Sequence, residues 1–117
     1  MPIEHVLAVM PVSEPERADA WYEAFFGCPA DNRPMPGLLE WQVTSSAWVQ
    51  VTVDSSRGGT GQLNFAVDDL EATRDELATR GVHTAEIQPV NKGVQLSATT
   101  DPDGNAITLI GNFRVKY

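Results

Sequence analysis

The chain has a single cysteine, half as many basic residues as acidic ones, and no long apolar run. One cysteine, Cys28, excludes an internal disulfide framework and fits a reducing compartment, so the expected location is the cytoplasm. Cys28 precedes Pro29 and has no basic neighbour in sequence to activate it, so it is not expected to act as a nucleophile. No segment approaches the roughly 18 apolar residues of a bilayer-spanning helix. The N-terminus also lacks the basic and apolar regions of a secretory signal. Eight Lys and Arg against sixteen Asp and Glu give a formal net charge of −8. That balance leaves little to neutralise phosphates, so nucleic acid is not an expected partner, and it favours cationic ligands. Arg57-Gly58-Gly59-Thr60-Gly61 is rich in glycine but lacks the spacing and the following Lys-Ser/Thr of a phosphate loop.

What remains is a 117-residue globular chain, 42% hydrophobic and 21% charged, long enough for one domain with a true core. Residues 1–117 are read as that one domain. Its pattern occurs twice, in a first module of about residues 3–54 and a second of about 61–112. Residues 3–10 read as an apolar strand. Ser13 can cap the helix that follows, with Pro15 in its first turn and Glu16 completing a capping box. Ala18, Trp21, Tyr22 and Phe25 then fall on one stripe, and Gly27 stops the helix. Pro29–Gly37, with three prolines, reads as a loop.

Residues 39–44 and 48–53 alternate at period two, which predicts a hairpin turning at Ser45-Ser46-Ala47. A three-residue turn places Trp41, Val43, Val49, Val51 and Val53 on one face. Glu40, Gln42, Thr44, Trp48, Gln50 and Thr52 then share the other, a polar face with one large aromatic, as a ligand surface on a sheet would have. Glu40 sits towards the far end of the hairpin and reads as a rim or pocket carboxylate. Ser55–Gly61 is the linker between the modules.

The second half repeats the plan. A strand at 62–67 leads to Asp68, a helix cap, with Leu70, Leu77 and Ala78 as the apolar stripe. Residues 83–88 and 94–100 read as strands, Asp101-Pro102-Asp103-Gly104 as a turn, and 106–110 as the closing strand. His83 is expected to be solvated. The tail from Asn112 to Tyr117 either packs on a partner or frays.

This doubled plan resembles the vicinal oxygen chelate superfamily, which includes glyoxalase I, fosfomycin-resistance proteins, extradiol dioxygenases and bleomycin-resistance proteins. The resemblance rests on Glu4-His5-Val6, on the run Ala20–Gly27, on Phe65-Ala66-Val67-Asp68-Asp69-Leu70, and on Asp101-Pro102-Asp103-Gly104-Asn105-Ala106-Ile107. It implies an α+β fold of two βαββ(β) modules related by a pseudo-twofold axis, forming a curved mixed sheet with helices on the outer face. The superfamily's metal enzymes place ligands at four equivalent positions. With His5 set over Gln62, 57 positions later, those positions map onto His5, Gln50, Gln62 and Thr108.

A hard dication needs imidazole and carboxylate donors, and this set holds no carboxylate. The expectation is therefore a binding protein of the bleomycin-resistance type with no cofactor and no metal, and no residue is assigned a catalytic role. His5, Glu40, Gln42, Trp48, Gln50, Gln62, Asn64 and Thr108 would bind a cationic or aromatic small molecule, with Trp41 as a second stacking surface, in a homodimer that completes the clefts. The alternative is a diverged glyoxalase-like lyase, isomerase or dioxygenase that uses a metal at His5, Gln50, Gln62 and Thr108.

Overall fold

The structure is a computed structural model that describes residues 1–116. Elements follow in the order β1 (Val6–Val12), α1 (Pro15–Phe26), β2 (Asn32–Met35), β3 (Leu38–Thr44), β4 (Ala47–Val53), β5 (Gln62–Val67), α2 (Leu70–Thr79), β6 (Gln88–Pro89), β7 (Gln95–Thr100) and β8 (Ala106–Gly111). A single 3₁₀ turn at Asn91–Gly93 precedes β7. The strands form two four-stranded mixed sheets, ordered β1-β4-β3-β2 and β5-β8-β7-β6. In each module the first strand runs parallel to the last, and the remaining neighbours are antiparallel. This is the repeated α+β plan that the sequence predicts. Neither described helix is long and apolar enough to cross a membrane.

Alternation decides which side chains enter the core. Met10 and Val12 from β1, Trp41 from β3, and Val49 and Val51 from β4 meet Ala18, Tyr22 and Phe25 of α1. Leu70 and Leu77 of α2 close over Ile107 and Leu109 of β8 within the same cluster. Phe25 and Phe26 reach across to Phe65 of the second module, with ring centroids 5.8 and 6.0 Å away. Arg80, at the end of α2, donates to the carbonyls of Ala24 (2.6 Å) and Phe25 (3.2 Å). It thus places a cation at the carbonyl end of α1, where the helix dipole favours one.

Several local features differ from expectation. Ser13 does not cap α1: its hydroxyl donates to Asp103 Oδ2 at 2.6 Å, and Glu14 is the cap residue, without a side-chain cap bond. Asp69, not Asp68, caps α2 by accepting from the Ala72 amide at 3.0 Å. Ala78 is exposed, because Leu70 and Leu77 already fill the narrow stripe of this short helix. The proline-rich loop contains the short strand β2. Pro34 is tolerated there because β2 is a sheet edge with an irregular register.

The expected strand at 83–88 shrinks to Gln88–Pro89. Upstream of it, the hydroxyls of Ser97 and Thr99 take the carbonyls of Ala85 and His83, both at 2.6 Å, in place of ladder amides. His83 is exposed, as expected. In the tail, residues 112–116 are exposed, and Tyr117 lies outside the described residues.

The turn after β7 joins the two modules. Asp101 is 4% exposed and Asn105 is fully buried. Asp101 Oδ2 accepts from Tyr22 Oη and from Asn105 Nδ2, both at 2.7 Å, while its Oδ1 accepts the amides of Asp103 and Asn105 at 2.9 Å. Asn105 Nδ2 also donates to the Pro11 carbonyl, and Asn105 Oδ1 accepts the Gly61 amide, both at 2.7 Å. A Cβ at Gly59, whose φ is +87°, would collide with the Asp103 carbonyl, so the linker needs glycine there twice over.

Burial, reinforced by the bond to Asp101, raises the Tyr22 pKa far above the ordinary tyrosine range. The folded state therefore holds this proton more tightly than the unfolded chain. Its contribution is full below pH ~10, the usual tyrosine value, and is lost as pH rises beyond it. Tyr22→Phe is expected to cost about 1–2 kcal/mol in urea unfolding at pH 7. It should also remove most of the decline in stability expected of the native protein above pH ~10.

Candidate functional site

The outward face of the first sheet is set by its register. Glu40 lies directly opposite Gln50, Gln42 opposite Trp48, and Leu38 opposite Thr52. The parallel pairing adds Leu7 beside Trp48 and Val9 beside Gln50. A bulge between Gln42 and Thr44 reduces the hairpin turn to Ser45-Ser46. The bulge restores the residue that the shorter turn removes, so the faces are those predicted from a three-residue turn.

Two hydrogen-bonded clusters occupy this face. Glu40 Oε2 accepts from Gln50 Nε2 at 2.7 Å, and its Oε1 accepts from Asn32 Nδ2 at 3.3 Å. Of the two places expected for it, rim or pocket, Glu40 takes the inner one, beside Gln50, because it pairs with the middle of β4 and not with its far end. Nearer the start of β1, the Trp48 indole N–H donates to His5 Nδ1 at 3.1 Å, and the rings meet edge to face. An accepting Nδ1 leaves the neutral imidazole with its proton on Nε2. Gln42 is tied to the loop end of the face: its side chain donates to the Ser45 carbonyl, and its amide to Asp31 Oδ2. Trp41 points the opposite way. It is 1% exposed and its indole N–H donates to the Cys28 carbonyl, so it offers no stacking surface.

Gln62, Asn64 and Thr108 share the outward face of the second sheet. Asn64 lies directly beside Thr108, and Gln62 beside Ala106. The structure does not bring this group into one cavity with the first. A cavity of about 500 Å³ is lined by Leu38, Gln50 and Thr52 with the β2–β3 turn. Another of about 470 Å³ is lined by Thr108, Ala98, Thr100 and His83. They share no residue. A third, of about 510 Å³, lies on the helix side, between α1 and the β2–β3 arm. There Asp19 bonds Arg33 at 2.9 Å and raises its pKa.

The repeat also has a different offset from the one read in the sequence. The helix caps Glu14 and Asp69 are 55 positions apart, and at that offset Val9 corresponds to Asn64. Their parallel partners are Gln50 and Thr108, which confirms the correspondence of those two. Leu7, not His5, therefore matches Gln62, while His5 precedes β1 altogether. The four equivalent positions carry a leucine, two amides and a hydroxyl. No group of three or more His, Cys, Asp or Glu side chains converges among the described residues. This donor set does not fit a hard divalent ion, which needs anionic oxygen or imidazole to replace its water. Leu7, Val9 and Asn32 are the face residues that sequence reasoning missed. Aligning the helix starts would have found the first two.

A sequence profile described as the glyoxalase-like domain matches residues 7–110, nearly the whole chain. The chain belongs to the glyoxalase-like domain family. A search of curated protein sequences finds no match. Among solved structures, the fold is similar to a glyoxalase/bleomycin resistance protein from Catenulispora acidiphila DSM 44928. The two are 24% identical with a TM-score of 0.86, over 92% of this chain and 96% of that one. An antibiotic-binding protein from Streptomyces sp. CB03234 is also 24% identical, with a TM-score of 0.76 over 95% and 98%. A lactoylglutathione lyase from Agrobacterium tumefaciens is 19% identical, with a TM-score of 0.73 over 96% of each chain. An antibiotic-binding protein and a lyase thus share this fold, so function rests on the side chains of the sheet faces.

The two hairpin tryptophans differ in burial, which gives a direct check of the register. Trp41→Ala is expected to cost about 3–5 kcal/mol in denaturant unfolding, as for a large core truncation. Trp48→Ala, on the open face, is expected to cost about 1 kcal/mol or less.

Proposed function

We propose that this glyoxalase-like chain is a metal-independent small-molecule binding protein, its ligand lying on the outward face of the first sheet. The observation that carries this reading is Trp48. It is a half-buried aromatic on a polar sheet face, held by its bond to His5 and flanked by Leu7 and Gln42. A ring so fixed offers a planar ligand a stacking surface at little entropic cost. Gln42 supplies hydrogen bonds from the same face, and Gln62, Asn64 and Thr108 of the second sheet add theirs only across the proposed homodimer. The lyase, isomerase or dioxygenase reading would need a metal at His5, Gln50, Gln62 and Thr108. The register separates His5 from that set and puts Leu7 in its place.

The planar probe acridine, neutral at pH 8, is expected to quench Trp48 emission, and Trp48→Ala to abolish that response. Zn²⁺, Ni²⁺ and Mn²⁺ are expected to leave the melting temperature unchanged, since a ligand that binds only the folded state must raise it. A rise of several degrees with any of these ions would overturn the metal-independent reading.

The proposed assembly is a homodimer that joins the two outward faces into complete clefts. In its favour, β1 and β5 are both sheet edges. Ile3 (69%), ahead of β1, Val6 (63%), at its first position, and Leu7 (47%) and Val9 (54%), on its outward face, are also exposed. An unpaired edge with contiguous apolar residues is a surface that a second chain would cover. Sedimentation is expected to show a dimer, and Val6→Glu to convert it to a monomer that still melts cooperatively.

A further inference from the structure

We infer that Glu40, positioned by Gln50 and Asn32, is an acceptor for the N–H groups of an organic cation, so that the preferred ligand is a planar aromatic bearing a protonated amine or amidine. This rests on the binding reading above and names the chemical class that the face selects. The Glu40 carboxylate is half-buried, and each oxygen takes one neutral amide donor, from Gln50 at 2.7 Å and Asn32 at 3.3 Å. A carboxylate has about four lone-pair sites, so each oxygen retains room for a further donor. The two amides fix its orientation without supplying the positive charge that normally accompanies a partly buried anion.

No residue of the chain supplies that charge among those described. Residues 1–54 contain two Arg and no Lys: Arg17 and Arg33 pair with Glu14 and Asp19, and the one histidine, His5, bonds Trp48 instead of Glu40. Arg57, in the linker, pairs with Asp54. In the second module Arg74 bonds Thr84, and Arg80 is spent on the end of α1. Val9, beside Gln50, and Leu38, two residues from Glu40, add apolar contact surface on either side of the carboxylate.

Spacing completes the argument. Trp48 precedes Gln50 by two residues on the same face of β4, a separation of about 7 Å. Glu40 lies opposite Gln50. A ring stacked on Trp48 therefore places a substituent one ring-width away within reach of the carboxylate. A neutral ring of the same shape would gain the stacking alone.

Two dyes with one tricyclic ring separate these contributions. At pH 8 proflavine is a cation carrying amino N–H donors, and acridine is neutral. Titration calorimetry on the intact protein is expected to show proflavine binding about tenfold more tightly than acridine, the size of one charge-assisted hydrogen bond. Glu40→Gln should bring the two within about twofold while leaving acridine unchanged, and Gln50→Ala should lose part of the preference. Glu76→Gln removes the same charge from an exposed site on α2 and should keep the full preference, which excludes general attraction to an acidic protein. Equal affinity for the two dyes in the native protein, or a preference that survives Glu40→Gln, would overturn the inference while leaving the stacking site intact. Binding of neither dye would overturn the binding reading and this inference with it.

Discussion

The buried Asp101 carboxylate is the constraint on which the rest of the architecture depends. Each of its oxygens accepts two hydrogen bonds, and the donors come from α1, from the turn itself and from Asn105. Asn105 carries the connection onward to the end of β1 and to the start of β5. One turn thereby fixes the first helix, the first strand and the linker relative to the second sheet. A buried anion is tolerable because every interaction that replaces its water is present. The adjoining Asp103 binds both the amide and the hydroxyl of Ser13, so the start of α1 is held by the opposite module.

That dependence explains how legible the chain was. Element types followed from local pattern: alternation in β3 and β4, the 3.6-residue stripe of Ala18, Tyr22 and Phe25, and glycine at the end of α1. Non-local competition spoiled the details. Ser13 has the chemistry of a cap, but Asp103 reaches it from 90 residues away. Pro34 signals a loop, yet an edge strand can spare its amide. In the site, the grouping of Glu40, Gln42, Trp48 and Gln50 was visible from period two alone. Its neighbours were not, because parallel pairing between β1 and β4 depends on a register that no turn encodes. The slip of two residues in aligning the modules had the same origin. His5 stands out chemically, whereas the structural repeat is anchored on the helix starts.

The two halves share a backbone plan but not a surface. The first sheet presents a carboxylate, an indole and an imidazole along β3, β4 and the approach to β1. The second presents amides and small side chains, Gln62, Asn64, Ala98 and Thr108. Duplicated geometry therefore does not imply duplicated chemistry, and family membership specifies the frame more firmly than the occupant. The asymmetry is sharpest at paired positions, where Gln50 beside Val9 corresponds to Thr108 beside Asn64.

The position of the joining turn in the chain has a consequence for synthesis. Asp101 and Asn105 follow their partners Tyr22 and Pro11 by 79 and 94 positions. During translation the first module can pair β1 with β4 as soon as residue 53 has emerged. It must then wait until residue 105 has emerged before Tyr22 and the Pro11 carbonyl both find their partners. Such high sequence separation places the docking of the halves late in folding. Throughout that interval the nascent first module leaves its tyrosine hydroxyl and the inner edge of α1 open to water, and the turn at 101–105 supplies the lock.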